Sequence, residues 1–114
     1  GYWKNHPEAW RVMQITVGGV TYSLSQAIAL IERPGKDRTL TMFSSLVPAM
    51  LNVLAGNDGS CVERTIAAAD EWMRTYGPAE GGVHPASYAW KVGEPLHRLL
   101  DNYNNGMLCA PHRN

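Results

Sequence analysis

The chain predicts a mainly α domain: four to five helices in a small bundle, with one short β-hairpin. Three observations point there. Apolar residues recur at three- and four-residue spacing along most of the chain after residue 23. Glycine and proline punctuate those stretches at Pro34-Gly35, at Gly56 and Gly59, at Gly77-Pro78 and at Gly106. A single pair of β-rich runs, 14–17 and 20–22, sits on either side of Gly18-Gly19, the spacing of a tight hairpin with a primed turn. Residues 1–114 form one domain by length, large enough to bury a core.

The elements follow in order. His6 precedes Pro7 and is therefore extended, and Pro7 opens a short helical turn through Trp10. The hairpin comes next and needs helices to lean on. Ser23 and Gln26 make a capping box for a helix carrying Leu24, Ala27, Ile28 and Ile31, which stops at Arg33 before Pro34-Gly35. Asp37 or Thr39 caps the central helix, whose apolar positions are Leu40, Phe43, Leu46, Val47, Met50, Leu51 and Leu54. Phe43, Leu46, Val47, Met50 and Leu54 are expected to be inaccessible to solvent, and Pro48 to kink the helix. Ser60 and Glu63 read as a second capping box, ahead of a stripe of Val62, Ile66, Ala69 and Met73. Asp70 and Arg74 stand in the favourable acid-first order for an ion pair. After Gly77-Pro78 and Gly81-Gly82, Ser87 caps a turn with Tyr88 and Trp90. Pro95 then opens the last helix, with Leu96, Leu99, Leu100 and Tyr103, and Gly106 ends it.

Charge and composition exclude some functions. Ten basic residues balance ten acidic ones, so no broad basic surface awaits nucleic acid. No apolar run approaches the ~18 residues of a membrane span, so membrane insertion is not expected. Nothing resembles a secretory signal segment, so the chain reads as a mature form or an excised module. Cys61 and Cys109 belong to no CxxC or CxxH pair, and no zinc site is expected on them; they are two buried thiols or one disulfide.

Several constellations could carry chemistry. Glu94 and His97 form one E-x-x-H pair, where a di-iron bundle needs two. The plainer expectation is that Glu94 pairs with Arg98 on a solvated face. His97 and Asp101 share a face and could make a catalytic dyad, but no nucleophile elbow accompanies them. The stretch 101–106 opens like a calcium loop, yet Tyr103 and His112 stand where oxygen ligands belong. The four histidines, His6, His84, His97 and His112, are scattered. No cofactor and no metal are expected from these patterns. The aromatic residues near the two ends say more. Tyr2, Trp3 and Trp10 lie at one end, Tyr88, Trp90 and Tyr103 toward the other, with asparagines among them and with Lys4 and Arg98 placed to lie over rings.

The segments GYWKNHPEAW, GGVTYSLSQAIALI, LNVLAGNDGSC and LDNYNNGMLCAPHR resemble a recurring "GYWKNH" module of secreted or surface-anchored bacterial proteins, as in myxobacteria. The similarity covers nearly the whole chain and is most specific at its ends. Arg11 stands where other members often have proline. The resemblance implies an extracellular or cell-surface setting and a Cys61–Cys109 disulfide. It implies no reaction.

The leading functional expectation is a non-catalytic module for adhesion, scaffolding or self-assembly into a surface layer or filament, its partners being other copies of itself or another surface protein. The first alternative is a module binding carbohydrate or another small ligand through its terminal aromatics. The second is a small secreted hydrolase or metal-dependent enzyme using His97, Asp101 and a second histidine. The expected contact surface forms where the two ends meet, with Tyr2, Trp3, Lys4, Asn5, His6 and Trp10 packed beside Asp101, Asn102, Tyr103 and Asn104.

Overall fold

The structure, a computed structural model, describes residues 2–10, 12–33, 35–78 and 82–110. Helix α1 (Tyr2–Asn5) leads into a 3-10 turn over Pro7–Ala9. Strands β1 (Gln14–Val17) and β2 (Val20–Ser23) follow, then helices α2 (Leu24–Glu32), α3 (Arg38–Leu54), α4 (Glu63–Tyr76) and α5 (Tyr88–Asn104). The mainly helical domain with a single hairpin is the predicted architecture. The helical turn at α1 has no counterpart in the sequence reading.

The hairpin pairs Val17 with Val20 and Gln14 with Ser23, leaving Gly18-Gly19 as a two-residue loop with positive φ at both positions. That is the primed turn that suits right-twisted strands. Ile15 and Val17 point into the core, and the Tyr22 ring meets Phe43 edge-on at 5.1 Å. The loop docks on α4 rather than on solvent. Gly18 N–H donates to the Asp70 carboxylate at 2.8 Å, and a Cβ on Gly18 would stand 2.7 Å from the Met73 and Arg74 backbone. Asp70 therefore serves the hairpin and not Arg74, which pairs with Glu71 at 3.5 Å on an exposed face.

Helix α3 is the central element, packed against α2, α4 and α5. Its cap is Asp37, whose carboxylate receives the Thr39, Gly82 and Val83 amides. Met42, Phe43, Leu46, Val47 and Leu51 are buried. Two expected core residues are not: Met50 is half-buried and Leu54 is 51% exposed. The last turn of α3 projects beyond its neighbours, and Val53 is exposed there as well. The helix continues through Pro48.

Two helix boundaries depart from the sequence reading. Ser60 and Glu63 form no capping box, because α4 starts only at Glu63 with Val62 in the cap position. The Ser60 amide bonds Asp58 instead, and the Cys61–Cys109 disulfide holds the next residue in a turn. Helix α5 is a single helix from Tyr88, capped by Ser87, with Pro95 inside it rather than at its start. Pro95 and Lys91, whose carbonyl loses a donor, are both exposed, so solvent satisfies the gap. Gly93 permits α4 to approach: a Cβ there would lie 2.8 Å from the Trp72 ring. Gly106, at positive φ, closes α5 as expected, with Met107 N–H on the Asn102 carbonyl and Gly106 N–H on that of Tyr103. Pro34, Gly81 and His112 of the sequence reading lie outside the described residues, as does Arg11.

The relation of α3 to α5 sets the geometry of everything below. Ser45 bonds His97 and Asn52 bonds Asn104, and both pairs are 52 positions apart. A constant offset means that the two helices run parallel and in register. Helix α4 is the antiparallel return between them.

Candidate ligand cleft

The seam between α3 and α5 is polar although it lies in the middle of the molecule. A run of side-chain hydrogen bonds ties four segments together across it. The Trp10 indole N–H donates to the Trp3 carbonyl at 2.9 Å, and the Trp3 indole N–H to Asn52 Oδ1 at 3.0 Å. Asn52 Nδ2 donates to Asn104 Oδ1 at 3.3 Å, and Asn104 Nδ2 to the Ser45 carbonyl at 2.9 Å. Pro48, in the same stretch of α3, offers no N–H to the Ser44 carbonyl beside that last acceptor.

Above this run the seam opens into a cleft of about 220 Å³. Tyr2, Trp3 and Lys4 form one wall, Ser44, Pro48 and Asn52 the floor, and Asp101, Asn104 and Asn105 the other wall, with Ile31 at the edge. Each asparagine amide in the bonded run retains a second N–H for a ligand. Lys4 pairs with no carboxylate among the described residues. The cleft thus offers an ammonium, a carboxylate, three amides and aromatic surface within one small volume.

The opening helix α1 and the last helix α5 do meet, but through α3. Tyr2, Trp3, Lys4, Asp101 and Asn104 share the cleft; Asn5, His6, Trp10, Asn102 and Tyr103 do not line it. His6 stacks on Tyr2 at 4.4 Å and bonds Glu8 at 3.1 Å. Trp10 is buried beneath the cleft. Asn102 spends its carbonyl on the end of α5. Tyr103 is buried, and its hydroxyl donates to the Asp58 carbonyl at 2.9 Å. The sequence reading missed Ser44, Pro48, Asn52 and Asn105. Asn52 alone carried a signal, as the one amide within the most apolar helix.

Farther along the seam, His97 Nδ1 meets Ser45 Oγ at 2.8 Å. Burial holds the imidazole below its ordinary pKa, helped by Arg38 and Arg98, while Asp101 and Glu94 pull the other way. The pair is not a nucleophile and its base. The Ser45 hydroxyl donates to the Met42 carbonyl at 3.1 Å, so it accepts from His97, and Ser45 is only 2% exposed. Rings and cations also pair otherwise than expected: Arg38, not Arg98 or Lys4, lies over a ring, 5.8 Å from the centre of Trp90. Arg98 pairs with Glu94 at 3.7 Å, the surface pair read from the sequence.

Among the described residues no three His, Cys, Asp or Glu side chains come together to hold a metal ion. His84 Nδ1 accepts the Ala86 amide in its own loop, and residues 101–106 form a helix end rather than a cation loop. Among the described residues, no helix is long and apolar enough to cross a membrane. No protein-family model, curated protein or solved structure matches this chain.

Proposed function

We propose that this chain is a non-catalytic extracellular recognition module whose cleft holds a hydroxyl-rich polar ligand, of which carbohydrate is the fitting class. The observation that carries this reading is the convergence of Tyr2, Lys4, Asn52, Asp101, Asn104 and Asn105 on one concave site. Carboxylate and amide groups bond vicinal hydroxyls, and an aromatic wall accepts the apolar face of a sugar ring. The disulfide and the resemblance to the "GYWKNH" module both support an oxidising, extracellular setting. Calorimetric titration with a panel of neutral oligosaccharides tests the proposal. Lys4→Ala and Asp101→Ala should each lower the affinity about tenfold or more, the worth of a hydrogen bond to a charged group, without moving the melting temperature. Unchanged affinities in both variants, or no binding by any sugar, would overturn it.

A second reading, assembly with other copies or with another surface protein, has its own observation. Val12, Ile15, Met50, Val53, Leu54 and Ile66 line an open groove beside β1 that contains no charged residue. Met13 next to it is 79% exposed. Such a face suits a layer-forming or scaffolding role. Sedimentation of the protein and of Leu54→Glu tests this: self-association that the charge abolishes supports it, and a monomer at every concentration overturns self-assembly.

A further inference from the structure

Helix α5 carries an exposed stripe that leads away from the cleft. Lys91, Glu94, Arg98, Asp101 and Asn105 recur at intervals of three and four, which places them on one helix face. Four are exposed and Glu94 is half-buried. Asp101 and Asn105 line the cleft already described. Lys91 and Glu94, earlier on the same face, line a second cleft of about 380 Å³ with Tyr88, Trp90 and Ser87.

The two clefts repeat one chemistry. Each combines a tyrosine, a lysine and a carboxylate: Tyr2, Lys4 and Asp101 at one end, Tyr88, Lys91 and Glu94 at the other. The Tyr88 ring is 76% exposed and has no aromatic or hydrogen-bond partner among the described residues. Leaving that much aromatic surface in water is unfavourable unless something covers it. Between the clefts the stripe alternates in sign, Lys91, Glu94, Arg98, Asp101, and sums to no charge. Such a path favours neither a polyanion nor a polycation. From Tyr88 to Asn105 the rise of the helix amounts to about 25 Å.

We infer that the Tyr88 cleft is a second subsite for the same ligand, and that this ligand is a linear, uncharged oligosaccharide lying along the α5 stripe. The inference rests on the carbohydrate reading of the first cleft. Short members of a series reach one subsite; long members reach both, and the linked second contact adds affinity without any change in the first.

The test uses the intact chain and short and long members of neutral linear series, xylan-, cellulose-, mannan- and chitin-derived, with polygalacturonate as the charged control. For the series that binds, affinity should rise about tenfold or more from short to long. Tyr88→Ala should remove that gain and leave the short-member affinity unchanged, whereas Tyr88→Phe should keep it. A long-chain gain that survives Tyr88→Ala, or no gain with length, overturns the second subsite and leaves the first cleft standing. Tighter binding of polygalacturonate than of every neutral series overturns the uncharged assignment. If no member binds, the carbohydrate reading and the subsite fall together. Melting temperatures of the variants should equal that of the parent, since Tyr88 is a surface residue.

Discussion

The Trp3 indole N–H reaches the side-chain oxygen of Asn52 across 49 positions, at 3.0 Å and in a buried setting. This bond anchors the opening turn to the central helix. It also fixes which way the Asn52 amide faces, because the other end of that amide must donate to Asn104. Asn52→Ala would remove the acceptor of this bond and the donor to the Asn104 oxygen. The expected loss is about 1–3 kcal/mol, the cost of unsatisfied buried polar groups. Denaturant titration followed by tryptophan emission measures it; a loss indistinguishable from zero would mean that residues 2–10 are not held by this bond.

Core substitutions on α3 should separate sharply by position. Leu46 is fully buried, and Leu46→Ala should cost about 2–5 kcal/mol through the cavity it leaves. Leu54 is half in water, and Leu54→Ala should fall within about 0.5 kcal/mol of the parent. Equal losses at both positions would show that the last turn of α3 is packed after all.

The disulfide closes a loop of 48 positions. In the chain-entropy picture that constraint is worth roughly 4 kcal/mol. Thiol titration of the unfolded, unreduced protein should find no free thiol. The double variant Cys61→Ser, Cys109→Ser should unfold at markedly lower denaturant concentration.

Acid should weaken the fold through His97 before it weakens it through Asp37. Burial keeps His97 below its ordinary pKa of about 6.5, so the native state prefers the neutral ring. Its contribution is complete above that pH and is lost as pH falls through the lower native value. Arg38, Glu94, Arg98 and Asp101 all face the ring electrostatically, and Ser45 and Trp90 pack on it. Burial alone would raise the pKa of Asp37, but hydrogen bonds from Gly82, Thr39 and Val83 outweigh it and hold the carboxyl below its usual range. Its contribution persists until the solution is more acidic still. Melting temperature against pH should therefore fall below about pH 6.5 in the parent and fall less steeply in His97→Gln.

Gly18→Ala tests the docking of the hairpin on α4. The backbone is left-handed there, which costs an L-residue about 1–2 kcal/mol. The new methyl would also press on the Met73 and Arg74 backbone. A strong drop in melting temperature is expected, and an unchanged one would show that the hairpin loop is not docked on α4.

Local grammar was legible throughout the chain, and long-range partnership was not. Ser23 with Gln26, Asp37, Ser87, Gly18-Gly19 and Gly106 act within a few residues of themselves, and each does what its type and spacing dictate. Ser60 and Glu63 have the same local pattern, but a covalent bond to a residue 48 positions away overrides it. Pro95 shows the converse. Its preference for a helix start is only a preference, and burial of Trp90 and Gly93 against α4 outweighs it by extending α5 back to Tyr88. The cleft was half legible. Aromatic and amide residues at the ends marked two of its walls, but the floor comes from α3, and only the parallel register of α3 and α5 brings Asn52 beneath Asn104.

That register has a consequence for the order of assembly. Residues 2–10 are synthesised before α3 and α5, yet the bonded run that holds them ends on Asn104 and the Ser45 carbonyl. Until α5 has docked beside α3, the Asn52 amide lacks the Asn104 partner that turns its oxygen toward Trp3. A segment made before α5 thus depends on α5 for its place, and contacts that span so much sequence form slowly. The cleft is complete only when the helix that carries one of its walls lies beside the helix that carries its floor.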